Sequence, residues 1–219
     1  GRVIRWTKSG IEWEADPKHR SLILEHFGME VGSRPLAENG VSPKSRKEEP
    51  GDEVDLDKDD ASLFRGVAAR FNFLSQDCPD ILFGIKPGCR DMANPKVGSW
   101  KKIKVMARYL LNREKVVWFY KWQQPVGFSD LWTDSDWGGA IEERKSTSGG
   151  VWMIGSHCIK VWSATQGAYA LSSAEAEFYA MIEGVTRSKG LISLASELGF
   201  KGLSNGVNVY TDSSAAKSF

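Results

Sequence analysis

The stretch from residue 125 to residue 219 constrains the fold more than any other part of the sequence. Phe128 to Trp137, Val151 to Ile154 and Ile159 to Trp162 are short, rich in branched and aromatic residues, and separated by Gly and Ser turns, so they read as strands. A helix is predicted from Ser173 to about Leu198, with Gly190 as a point where it can break. Val207-Asn208-Val209-Tyr210-Thr211-Asp212 reads as a further strand, and Ser213-Ser214-Ala215-Ala216 as the start of another helix. This order makes an α/β layout: an opening meander, then a later strand able to pair in parallel. No internal repeat is visible.

Upstream the pattern is different. Residues 1–34 are short and mixed and end in an apolar helical run, Ser21 to Met29, for which Asp16-Pro17 supplies a start. From Pro35 to Asp60 apolar residues almost vanish while Asp52, Glu53, Asp55, Asp57, Asp59 and Asp60 accumulate, the composition of a flexible linker. Residues 61–124 look helical. Val67, Phe71 and Leu74 recur at helical spacing, Pro79 can open a further helix, and Ile103, Met106, Ala107, Leu110 and Leu111 form an apolar stripe above a Lys/Arg face.

Apolar content of 41% and charged content of 26% are those of a globular protein. No apolar run approaches the roughly 20 residues that span a bilayer, so a membrane is not expected as a partner. The first residues, Gly1 to Trp6, hold neither a signal-peptide core nor an initiator Met and read like a cut end. Three scattered cysteines fit no disulfide framework and suit a reducing, intracellular compartment. The three histidines are equally scattered, which argues against zinc.

The net charge of +1 hides a local asymmetry. Between Lys86 and Lys121 basic residues greatly outnumber Asp91 and Glu114, and Trp100, Tyr109, Trp118, Phe119, Tyr120 and Trp122 are interleaved with them. Basic side chains track phosphates and aromatic faces stack on bases, so Lys101, Lys102, Lys104 and Arg108 are candidate nucleic-acid contacts. The same pattern also describes a solvated helix face.

Carboxylates fall at three element ends. Asp134 and Asp136 end the first strand, Glu175 and Glu177 lie in the first turns of the helix, and Asp212 ends a strand before a helix, where ligand sites in α/β sheets tend to fall. Phosphodiester cleavage uses such clusters to hold two divalent ions about 4 Å apart. Hard oxygen ligands favour Mg2+ or Mn2+. Ser172-Ser173-Ala174-Glu175 matches a capping box in which Glu175 reaches back to the Ser172 amide, leaving Glu177 as the better ligand. Glu177 is expected on the flank of a buried stripe formed by Phe178, Met181, Ile182 and Val185. Asp134 and Asp136, two apart on a strand, share a face and are not separated by this reasoning.

Four ordered blocks carry a resemblance: Thr133-Asp134-Ser135-Asp136-Trp137-Gly138-Gly139, Arg144 to Gly150, Leu171 to Ala180, and Tyr210 to Ala216. Together they resemble the ribonuclease H domain of copia-type retrotransposon Pol polyproteins. Leu63 to Leu74, Pro79-Asp80-Ile81 and Trp100 to Leu110 resemble the region after a reverse-transcriptase core, and residues 1–34, more loosely, the end of its palm. The resemblance implies a palm end at 1–34, an acidic linker at 35–60, a helical thumb or connection region at 61–124, and a ribonuclease H-like mixed sheet at 125–219.

By that resemblance Asp134, Glu177 and Asp212 take the places of the first three catalytic acids and bind Mg2+ or Mn2+, while Asp136 belongs to the motif without being a principal ligand. Asp59-Asp60 lies in an acidic loop rather than a tight hairpin, so it is not read as a polymerase pair. The polymerase aspartates are expected upstream of Gly1, and a fourth ribonuclease H acid beyond Phe219, making the domain C-terminally truncated. The implied partners are an RNA–DNA hybrid and the rest of Pol; the implied setting is a cytoplasmic particle or the nucleus. Two other functions remain open: a non-catalytic nucleic-acid-binding remnant, and another nuclease on a similar sheet, such as an integrase. The Arg144–Gly150 block and the upstream similarity argue against the second.

Overall fold

The computed structural model describes residues 1–29, 49–140, 144–200, 202–203 and 206–218. The chain divides into two units, Gly1–Phe119 and Tyr120–Phe219. Both α-helix and β-sheet are present, with a sheet of three strands and a sheet of four.

The first unit opens with an antiparallel hairpin. Strand β1 (Val3–Trp6) pairs with β2 (Gly10–Glu14) in the register Val3↔Glu14 to Trp6↔Ile11. Helix α1 (Pro17–His26) starts as expected: Asp16 accepts a hydrogen bond from the Lys18 amide at 3.0 Å, and Pro17 occupies the first turn. Helices α2 (Lys58–Ser75), α3 (Lys86–Arg90) and α4 (Val97–Asn112) follow. Their apolar stripes meet in one core built on Ile23, Phe64, Phe71, Ile81, Ile103 and Leu110.

Much of the acidic linker, residues 35–48, lies outside the described residues. Its remainder is part of this unit. Asp57 caps α2 by accepting from the amides of Asp59 and Asp60, whose own charges sit in the first turn, where the helix dipole favours them. The expectation of helix through residue 124 fails at Val117, where strand β3 (Val117–Lys121) begins and lies beside β2. Helix α4 ends at Asn112, and the Val-Trp-Phe-Tyr run that follows is branched and aromatic, which suits a pleated surface.

In the second unit β4 (Ser129–Ala140), β5 (Lys145–Ile154) and β6 (His157–Thr165) form the expected antiparallel meander, with longer strands than the sequence marks. Strand β7 (Val207–Tyr210) pairs in parallel with β4, giving the order β6-β5-β4-β7. Helix α5 (Ser173–Glu197) packs against this sheet and runs unbroken through Gly190. Leu131, Trp152 and Trp162 form the buried centre, with Val185, Ile192 and Ala195 of α5 packed on it.

Candidate metal centre

Small residues decide where α5 sits. Ala176, Ala180, Gly184 and Ser188 recur every fourth residue and are all buried. A Cβ at Gly184 would lie 2.7 Å from Thr133 Cγ2 and 2.9 Å from Leu131 Cδ2, so the helix backbone rests directly on β4. This corrects the expected stripe: Ile182 is 47% exposed and Phe178 and Met181 are only half-buried. Backbone proximity, rather than side-chain hydrophobicity, selects the contacting row. The Arg144–Gly150 block has a similar role in β5, where Ser146, Thr147 and Ser148 are buried and the Trp162 ring covers Gly150.

Glu177 belongs to this contacting face and is 9% exposed. Its Oε1 accepts hydrogen bonds from the Ser135 amide at 3.0 Å and the Ser135 hydroxyl at 2.8 Å, while its Oε2 is buried without a hydrogen-bond partner among the described residues. Strand register brings the aspartates together. Trp132 pairs with Tyr210, the last pair of the β4–β7 ladder; Asp134 lies two residues further along β4 and Asp212 two residues past the end of β7. One carboxylate oxygen from each of Asp134, Glu177 and Asp212 lies within 4.8 Å of the others, with both aspartates exposed.

Burial pushes the Glu177 carboxyl above its ordinary value; the Ser135 hydrogen bonds oppose this, and the charges of Asp134 and Asp212 add to the rise. Three acids with an orphaned buried oxygen among them fit a small hard divalent cation, which would relieve the repulsion and give Oε2 a partner. With only oxygen donors, the set suits Mg2+ or Mn2+ better than zinc.

The other acids lie apart. Asp136 Oδ1 accepts from the Thr147 amide at 2.5 Å, across the β4–β5 ladder. Ser172 caps α5 by accepting from the Glu175 amide, but Glu175 reaches one residue further than a capping box requires, accepting from the Leu171 amide at 2.7 Å and from the Tyr179 hydroxyl at 2.5 Å. Sequence reasoning assigned no role to Ser135 or Gln166. Ser135 follows Asp134 directly and so points to the helix side of β4; no local pattern marks Gln166.

The four candidate nucleic-acid residues lie on α4 of the first unit. Lys101 is paired with Glu49 and Asp52, and Lys102 with Asp91 at 2.9 Å. Lys104 and Arg108 are exposed, one helical turn apart, with no ion pair among the described residues.

No protein-family model matches the chain, and no solved structure matches it. Among curated proteins it is 27% identical over 157 residues to the retrovirus-related Pol polyprotein from transposon RE2 of Arabidopsis thaliana, covering 72% of the chain. It is also 27% identical over 227 residues to the corresponding polyprotein from transposon TNT 1-94 of Nicotiana tabacum, covering 98% of the chain. These matches span 11% and 16% of the polyproteins' own lengths, so the chain corresponds to a small part of each. Secreted RxLR effector protein 161 of Plasmopara viticola is 30% identical over 108 residues, 48% of the chain and 73% of that protein. The polyprotein similarity extends over both units, and the chain is similar to a small part of retrovirus-related Pol polyproteins from transposons.

Proposed function

We propose that the second unit is a ribonuclease H-like module that hydrolyses the RNA strand of RNA–DNA hybrids with Mg2+ or Mn2+ held by Asp134, Glu177 and Asp212. The observation that carries this reading is the meeting of three carboxylates within 4.8 Å, one with a buried oxygen that lacks a partner. Bound ions in such a site would activate water and stabilise the leaving oxygen of the phosphodiester. The chain supplies preorganised negative charge. The β4–β7 register fixes the aspartates, and the close approach of α5 holds Glu177 against β4. Because Asp134 sits on a strand, Glu177 on a helix and Asp212 two residues past the end of β7, little reorganisation would accompany ion capture. The partners in this reading are the hybrid and the rest of Pol, and the setting is intracellular, in a cytoplasmic particle or the nucleus. No described helix is long and apolar enough to cross a membrane.

The test is release of labelled RNA from an RNA–DNA duplex in Mg2+, by this chain and by a longer Pol polypeptide containing it. Cleavage that Asp134→Asn abolishes, with hybrid binding retained, supports the module. Hybrid that is bound but never cut by the longer polypeptide replaces the enzyme with a binding remnant. Cleavage that survives Asp134→Asn removes the three acids from the chemistry.

A further inference from the structure

The two oxygens of Glu177 have different surroundings. Ser135 follows Asp134 on β4, so its side chain lies on the opposite face, toward α5. Its amide and hydroxyl both donate to Oε1 of Glu177, at 3.0 and 2.8 Å. Oε2 is buried and has no hydrogen-bond partner among the described residues. A second contact fixes the helix next to this pair. Gln166, 5% exposed, donates from Nε2 to the Ala176 carbonyl at 2.8 Å and to the Ser148 hydroxyl at 3.1 Å. Ser148 is the cross-strand partner of Ser135, and Ala176 precedes Glu177, so one amide ties the helix turn that bears the carboxylate to β5.

We infer that Ser135 is a positioning residue for Glu177: it occupies Oε1 and leaves Oε2 as the one oxygen offered to a divalent cation. The inference rests on the proposed metal site and adds a preference between ions. A carboxylate with one oxygen held by two donors binds in a monodentate manner. That suits Mg2+ and Mn2+, which use few carboxylate oxygens and keep several waters; Ca2+ takes more ligands and accepts bidentate carboxylates. Ser135 therefore both orients the ligand and biases the site against Ca2+.

Titration calorimetry of the 219-residue chain with Mn2+ alone and with Ca2+ alone tests this. Loss of an outer hydrogen bond to a metal ligand typically costs about ten-fold or more in affinity. Ser135→Ala is expected to weaken Mn2+ by roughly that factor and Ca2+ by less, narrowing the ratio between them, while Ser135→Thr restores both. Mn2+ binding that is lost in Asp134→Asn but unchanged in Ser135→Ala overturns this inference and leaves the metal site standing. Equal losses in Ser135→Ala and Ser135→Thr also overturn it, because the hydroxyl is then not the cause. No Mn2+ binding by the unsubstituted chain, or binding indifferent to Asp134→Asn, removes the site and the inference together.

Discussion

Asp134 and Asp212 are separated by 78 positions in the chain yet stand side by side, because every register pair between β4 and β7, from Ser129↔Val207 to Trp132↔Tyr210, has that same offset. The stacked rings of Trp132 and Tyr210, 4.8 Å apart, mark the last pair before the two acids. Parallel pairing therefore concentrates negative charge at one end of the sheet, and Glu177 of α5 adds a third carboxylate.

Without a cation, that concentration is a cost to the fold. Like charges in one site repel, and neutralising one relieves the strain. Asp212→Asn is expected to leave the metal-free unit as stable as before, or more stable by up to about 1 kcal/mol. The same substitution removes the rise in Tm that Mn2+ gives the unsubstituted chain. Differential scanning calorimetry with and without Mn2+ reads both effects. A loss of metal-free stability in Asp212→Asn would show that the acid is structural.

The first unit carries its own pH dependence. Hydrogen bonds from Arg5 and Lys115 hold the Glu14 carboxyl below its ordinary value, with burial partly opposing them. An acid with a lowered folded pKa contributes stability that is full above its unfolded value, near 4.3, and is lost as pH falls through the folded value. Unfolding of the chain followed by Trp fluorescence is expected to show this acid loss, and Glu14→Gln to flatten it. An unchanged acid limb in Glu14→Gln would place the titration in other groups.

The position of α5 depends on the absence of a side chain. In an open helix, replacing Gly184 would add helix propensity. Here a Cβ would lie within 3.0 Å of both Thr133 and Leu131, on the strand that bears Asp134. Gly184→Val is expected to destabilise the unit by about 1–3 kcal/mol through overpacking. By lifting Glu177 from β4 it is also expected to weaken Mn2+ binding. Urea unfolding together with Mn2+ titration checks both, and a stable variant with normal Mn2+ affinity would mean the helix is not held at this point.

Features set by local chemistry were readable before the structure. Asp16-Pro17 and Ser172 mark helix starts because their side chains and ring geometry act within a turn. The meander and the β7 strand follow from branched residues between Gly and Ser turns. Features set by contact across the chain were not readable. Val3–Trp6 and Gly10–Glu14 mix charged and aromatic residues, so the hairpin carries little alternation in hydrophobicity. The α5 contact row was hidden for a different reason: Phe178, Met181 and Ile182 are the more hydrophobic residues, but Ala176, Ala180 and Gly184 allow the closest approach. The same limit explains Ser135 and Gln166, whose partners are 42 and 18 positions away for Glu177 and Ser148 respectively.

The basic face of α4 separates into residues with different expected effects on nucleic-acid binding. Lys101 and Lys102 are already engaged by Glu49, Asp52 and Asp91, so much of their charge is neutralised within the unit. Lys104 and Arg108 are exposed on one face of the helix without an ion pair among the described residues. Each phosphate contact releases counterions and contributes roughly 0.7–0.9 units to the slope of log affinity against log salt. If this face meets a hybrid, Lys104→Glu and Arg108→Glu are each expected to lower affinity and flatten that slope by about one contact's worth. Lys101→Glu is expected to act mainly on stability, by placing a third acid against Glu49 and Asp52, and to leave the slope nearly intact at temperatures where the chain stays folded. Fluorescence anisotropy of a labelled RNA–DNA duplex across a salt series, with melting curves for each variant, separates the two effects. Unchanged slopes in Lys104→Glu and Arg108→Glu would identify the basic residues of α4 as a solvated helix face and leave any hybrid contact to other surfaces.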